Sequence, residues 1–254
     1  MKQLLNTGTT GLGGARPKAS VRLDDGALAI ARFPHSSDRW DVMAWEAAAL
    51  DLLDGAGIRT PQRRLTRVGE RSVLILRRFD RDAASERIGY ISAMTATGSA
   101  DGDRRDYSDI AEAMRDISRS LREDHHELYR RAVASVVLGN TDDHLRNHGF
   151  LADRGLWQLS PAFDVNPHPD LLQTRSTSIA GADAHPDEVD GLFALAGDCG
   201  LSLAEAREQM QRVAASARSW RDRGRRNGVA EREIAMMADS IEPRLTAVSE
   251  AARR

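Results

Sequence analysis

The feature that most constrains this chain is a change of hydrophobic period at about residue 80. Before it, apolar residues alternate over short runs. After it, they recur at helical spacing. Residues 19–23 and 27–33 (ALAIARF) read as a hairpin turning at Asp24-Asp25-Gly26, and residues 62–68 and 72–79 (SVLILRRF) as two more strands turning at Gly69-Glu70. One helical pattern, 40–55 (WDVMAWEAAALDLLDG), lies between them and ends at glycines. Beyond residue 80, segments 107–120, 124–138, 189–196, 203–219 and 231–251 carry helical patterns. Only 149–164 (GFLADRGLWQLSPAFD) reads as two short strands, joined by Asp153-Arg154-Gly155. An α+β chain with a small strand-rich N-terminal lobe, residues 1–80, and a mainly helical C-terminal lobe, 81–254, is expected, with a cleft between them.

Composition narrows the function classes. At 254 residues, 41% hydrophobic and 29% charged, the chain has the balance of a globular protein with a sizeable core. No apolar run approaches bilayer length and the N-terminus has no signal-peptide core, so the expected location is the cytoplasm, with no membrane partner. Cys199, the single cysteine, excludes an internal disulfide and a cysteine zinc cluster. A net charge of -2 gives no reason to expect direct nucleic-acid binding, and the basic run 218–226 (RSWRDRGRR) reads as a solvated helix end. Among 36 basic residues only Lys2 and Lys18 are lysines. Lys18 closes a glycine-rich stretch, GTTGLGGARPK, where a compact point charge suits a phosphate.

The densest polar stretch follows the apolar run 132–138 (AVASVVL): it is GNTDDHLRNHGF, residues 139–150. A turn needs one Asn or Asp, not this many. Asp142 and Asn147 lie five apart, and Asp164 follows seventeen residues later, expected at the end of the second strand of a hairpin that returns it toward Asn147. One aspartate for a proton, with an Asn and an Asp for a magnesium ion, are the parts phosphoryl transfer requires. The protein-kinase catalytic loop has the same aspartate-to-asparagine spacing. Asp143 reads as a solvated turn residue or loop cap, the remaining histidines as scattered, and Trp45 as core.

GNTDDHLRNHGF followed by LSPAFDVNP resembles the kinase region of the HipA-like serine/threonine kinases, toxins of bacterial toxin–antitoxin modules. GLGGARPKA, IARFP, WDVMAWE, LILRRFDR and RIGYISAMTATG fit the same family in order. The resemblance implies a two-lobed protein-kinase-like fold that binds ATP with Mg²⁺. It makes Asp142 the catalytic aspartate, braced by His144, and Asn147 and Asp164 the metal ligands. Leu12, Gly13, Gly14, Ala15 and Lys18 would cover the phosphates. Arg77 to Phe79 would be the hinge meeting adenine, with Asp80 near the ribose, and Glu46 would pair with the basic residue on the strand. That residue is Arg32, where the family usually has lysine; an autophosphorylated serine of the family's glycine loop is Gly11 here, beside Thr9 and Thr10.

The resemblance further implies a protein substrate, one of translation such as an aminoacyl-tRNA synthetase, and a helix-turn-helix antitoxin partner. Full-length HipA proteins carry a subdomain before the glycine loop, so a separate small protein supplying it, or a truncation, is expected. A catalytically impaired binding module is the alternative, and a small-molecule kinase a third.

Overall fold

The computed structural model of the chain describes residues 16–100 and 102–254. Strands β1 (Lys18–Arg22), β2 (Leu28–Arg32), β3 (Arg63–Val68) and β4 (Arg71–Arg77) form one antiparallel sheet in the order β1-β2-β4-β3. The register sets Lys18 opposite Arg32. Directly paired residues of antiparallel strands project from the same face, so these two cations share one side of the sheet.

Helix α1 (Val42–Gly55) starts at Asp41, whose carboxylate accepts the Ala44 N–H at 3.0 Å. It is buried almost all round because β3 and β4 cover one side while helices of the C-terminal part cover the other. That explains why its pattern is nearly continuous apolar residues instead of a stripe. Glu46 is fully buried on it.

The C-terminal part opens with β5 (Tyr90–Ser92), α2 (Ala93–Ala96), β6 (Arg105–Asp106), α3 (Tyr107–Ile117) and α4 (Leu121–Leu138). The run 132–138 forms the last turns of α4, at the centre of the core. Gly139 ends the helix in the left-handed region at φ 61°. A 3₁₀ turn (Leu145–Asn147) leads to β7 (Gly149–Asp153) and β8 (Leu156–Leu159), and a three-stranded sheet runs β5-β7-β8. Strand β9 (Thr177–Ser178) pairs in parallel with β6. Helices α5 (Glu188–Asp198), α6 (Leu203–Ala217), α7 (Trp220–Arg226) and α8 (Glu231–Ala251) complete the fold. One apolar cluster runs from Val42 to Ala252, so α1 shares its core with α4, α6 and α7. Among the described residues no helix is long and apolar enough to cross a membrane.

The mixed architecture is the expected one, with local departures. The pattern 107–120 stops at Ile117, because Ser118 bridges to Trp157 and the Arg119 N–H bonds the Trp157 carbonyl at 2.8 Å. The pattern 203–219 stops at Ala217, the end of α6, and α7 starts at Trp220 after the Ser219 hydroxyl bonds the Ser216 carbonyl at 2.9 Å. The run 218–226 is less solvated than expected. Trp220 and Gly224 are buried, and Arg221 lies 4.5 Å over the Trp220 ring. Asp164 does not end a strand. The hairpin stops at Leu159, and five residues later Asp164 sits in coil at φ 60°.

Candidate active site

Two cavities carry most of the residues singled out from the sequence. The first, about 290 Å³, lies between the four-stranded sheet and the segment around Asp164. Lys18 and Arg32 reach it from β1 and β2, Arg77, Phe79 and Asp80 from the end of β4, and Asp164 from the opposite wall. Apolar surface comes from Ile30, Leu76, Tyr90 and Phe163. Phe79 stacks obliquely on both Tyr90 and Phe163, with ring centroids 6.4 and 5.6 Å away. The Arg77 and Arg78 N–H groups are taken by the Gln62 and Leu28 carbonyls. The Phe79 N–H and carbonyl make no hydrogen bond to the described residues. That leaves one open backbone pair at the cavity's edge. Asp80 is held on both oxygens, by Arg78 at 2.8 Å and Arg81 at 2.8 Å.

At the back of this cavity Arg32 spans two carboxylates. Its Nη1 donates to Glu46 Oε1 at 2.5 Å and its Nη2 to Asp164 Oδ1. Glu46 thus pairs with the strand residue as expected, and also accepts the Asp164 N–H at 3.1 Å. Burial pushes Glu46 up to about 7 against the pull of Arg32. For Asp164 burial works upward too, but the Arg32 guanidinium, the Asn166 amide and the charge of Lys18 together hold the carboxyl below its ordinary range. Burial and the charge of Arg32 lower the Lys18 ammonium.

A second cavity, about 550 Å³, opens at Asp142 and His144. Asp142 is exposed on it, whereas Asn147 is buried and donates its amide to the Asp142 carbonyl at 3.2 Å. The loop is tied to Asp164 through two asparagines: Asn140 Oδ1 accepts the Asn166 N–H at 3.0 Å, and the Asn166 amide donates to Asp164 Oδ1 at 2.9 Å. The expected residues Leu12, Gly13, Gly14 and Ala15, with Gly11 and its neighbours, lie outside the described residues.

Asp143 corrects the sequence reading. It is not a solvated turn residue but a buried carboxylate. Tyr107 donates its hydroxyl to it, Ser135 Oγ lies 3.0 Å away, and His148 Nε2 is 3.1 Å from its other oxygen. Burial alone would raise its pKa, yet His148, Tyr107 and Arg175 together hold it well below the usual carboxylate range. His148, which the sequence left without a role, is therefore part of the loop's support. Arg175 extends the network: it donates to Ser135 Oγ at 2.6 Å and contacts Glu188, which in turn binds Arg244 of α8. Tyr107, Arg175, Glu188, Tyr90 and Phe163 escaped the sequence reading. Their partners lie beyond the local sequence, and no local spacing signals them.

Comparison with curated proteins by sequence gives no match. Solved structures share the fold, among them two kinase-family neighbours. Against HipA of the Shewanella oneidensis MR-1 toxin–antitoxin system, solved with HipB and operator DNA, identity is 16% and the TM-score 0.66, over 98% of this chain and 65% of that one. The chain thus spans less than two thirds of that HipA. Against the Helicobacter pylori proinflammatory kinase CtkA, identity is 14% and the TM-score 0.71, over 97% of this chain and 95% of that one. The family profile of the HipA-like C-terminal domain matches residues 10–221. With that match covering most of its length and both cavities, the chain belongs to the HipA-like C-terminal domain family.

Proposed function

We propose that the protein is an ATP-dependent serine/threonine kinase of HipA type, with lobes 1–80 and 81–254, acting as a toxin on a cytoplasmic protein of translation such as an aminoacyl-tRNA synthetase. The observation that carries this reading is the exposed Asp142 carboxylate, on a loop bonded through Asn140 and Asn166 to Asp164. ATP would occupy the smaller cavity. Its base would lie against Ile30, Leu76, Tyr90 and Phe163, with the open Phe79 backbone groups at its edge and the phosphates toward Lys18 and Arg32. Asp142 would take the proton of an acceptor hydroxyl entering the larger cavity, where His144 and the hydroxyls of Thr174 and Ser176 line the wall. Asn147 and Asp164 offer an amide and a carboxylate oxygen, the hard donors that Mg²⁺ takes, so the donor set fits that ion. Bound there, Mg²⁺ would neutralise charge on the phosphates. The Shewanella HipA solved with HipB supports a HipB-like antitoxin as partner.

A second reading is a catalytically impaired binding module that engages such a partner. Arg32, bonded to both Glu46 and Asp164, favours it.

Radiolabelled ATP with wild type and Asp142→Asn, beside a growth assay of cells expressing each, separates the two. The kinase reading expects labelling of a protein by wild type and a fall of about 10²- to 10⁴-fold in the variant. The ATP-dependent rise in melting temperature should survive in both. A wild type that labels nothing and slows no growth would establish the binding module. Equal labelling by the two proteins would remove Asp142 from the chemistry.

A further inference from the structure

We propose that this protein transfers phosphate from ATP to its own Ser176, a modification site held beside the catalytic loop in the larger cavity. The inference rests on the kinase reading of that cavity and names one acceptor within the chain itself.

Residues 174–178 run as an extended segment whose burial alternates. Thr174 and Ser176 are exposed, whereas Arg175 and Thr177 are buried. Both buried neighbours are anchored. Arg175 bonds Ser135 Oγ through its guanidinium at 2.6 Å and donates its N–H to the Asp183 carbonyl at 2.8 Å. Thr177 is the register partner of Arg105 in β6. Between them the Ser176 N–H donates to the Thr141 carbonyl at 2.8 Å, and Thr141 immediately precedes Asp142. An exposed hydroxyl residue is thus tied to the neighbour of the proposed base, and Ser176 and Asp142 line one cavity. Holding an acceptor beside the catalytic group replaces a diffusional encounter with a local one.

The neighbouring hydroxyls are less suited. Ser178 Oγ is engaged by Asp106 at 2.6 Å, and Thr177 is only 1% exposed. Thr174 is exposed, but among the described residues no backbone bond ties it to the catalytic loop. The Ser176 hydroxyl makes no hydrogen bond among the described residues, so none has to break before it meets Asp142.

In the transfer, Ser176 Oγ attacks the γ-phosphorus of ATP. The new Oγ–P bond forms as the bond from that phosphorus to the β–γ bridging oxygen breaks. ADP leaves with the electron pair, and the hydroxyl proton passes to Asp142. The product is a phosphoserine in a cavity lined by Arg104, Arg105 and Arg146 as well as by Asp103, Asp142 and Asp183. Arg104 is exposed and makes no ion pair among the described residues, and Arg105 bonds Asp103 at 3.3 Å with one arm. Guanidinium groups take phosphate oxygens through paired N–H bonds, so the transferred group has a cation to receive it.

The test is to treat the full chain with phosphatase, remove the phosphatase, add ATP with Mg²⁺, and map phosphate by tandem mass spectrometry. The expected result is phosphate on Ser176, lost in Ser176→Ala and reduced about 10²- to 10⁴-fold in Asp142→Asn treated identically. Phosphate on Ser176 of Asp142→Asn at the wild-type level would mean that another enzyme placed it there, and overturns the proposal. A wild-type chain that labels proteins of a cell extract but carries no phosphate on Ser176 also overturns it, and leaves the kinase reading standing. If Ser176→Ala does not fold, the fragment ions of wild type and Asp142→Asn decide between these outcomes. Transfer to no protein at all, itself included, would sink the kinase reading and this inference with it.

Discussion

Two adjacent aspartates have opposite fates at the end of α4. Asp142 is exposed on a cavity, and Asp143 points into the core between Tyr107, Ser135 and His148. The sequence singled out the first by its five-residue separation from Asn147, the separation expected of a catalytic aspartate and a metal-binding asparagine. It missed the second, because burial of Asp143 depends on a tyrosine 36 residues away and on the Arg175 network. Removing the charge with Asp143→Asn is expected to destabilise the fold by about 3 kcal/mol, the lower end for breaking a buried ion contact. The pH dependence follows from the sign of its shift. A carboxyl held below its unfolded value contributes stability above that value and loses it as pH falls through the folded one. The gap between wild type and variant, measured by urea denaturation, should be present at about pH 5 and close as pH falls below about 4. A gap unchanged at pH 3 would mean Asp143 is not the buried anion described.

Elements built from local periodicity were readable before any coordinates: the four-stranded sheet, α1 and α8 fall within a few residues of expectation. The two-residue pair of β6 and β9 was not. It exists because the Asp106 carboxylate accepts the Ser178 hydroxyl and the Ala180 and Gly181 N–H groups, a tertiary arrangement without local pattern. The end of α4 is the most sensitive joint. Gly139 has φ 61°, and a Cβ there would lie 2.9 Å from Ser240 Oγ and 3.2 Å from the His168 carbonyl. Gly139→Ala should therefore cost at least the left-handed backbone penalty of about 1–2 kcal/mol, with the crowded carbonyl adding to it. It should lower the denaturation midpoint at unchanged slope. A variant as stable as wild type would show that the helix can end another way.

At the scale of the molecule, α1 belongs to the strand-rich part by chain order but packs against α4, α6 and α7 in the common core. The two parts should therefore unfold together. Trp40 and Trp45 near and within α1, and Trp157 and Trp220 beyond it, give fluorescence from both parts, while far-ultraviolet circular dichroism follows the C-terminal helices most strongly. Coincident transitions are expected; two separated ones would show that residues 1–80 form a separately stable unit. The near-absence of lysine has a practical outcome for the same molecule. Reactive amines are scarce, and of the two lysines Lys18 lines the smaller cavity, where burial and the charge of Arg32 lower its ammonium below the ordinary value. A nucleotide bearing an acyl-phosphate warhead should then acylate one position, mapped by peptide mass spectrometry and suppressed by excess ATP. The chain in effect carries its own single-site occupancy reporter, installed by an arginine-rich composition instead of by engineering.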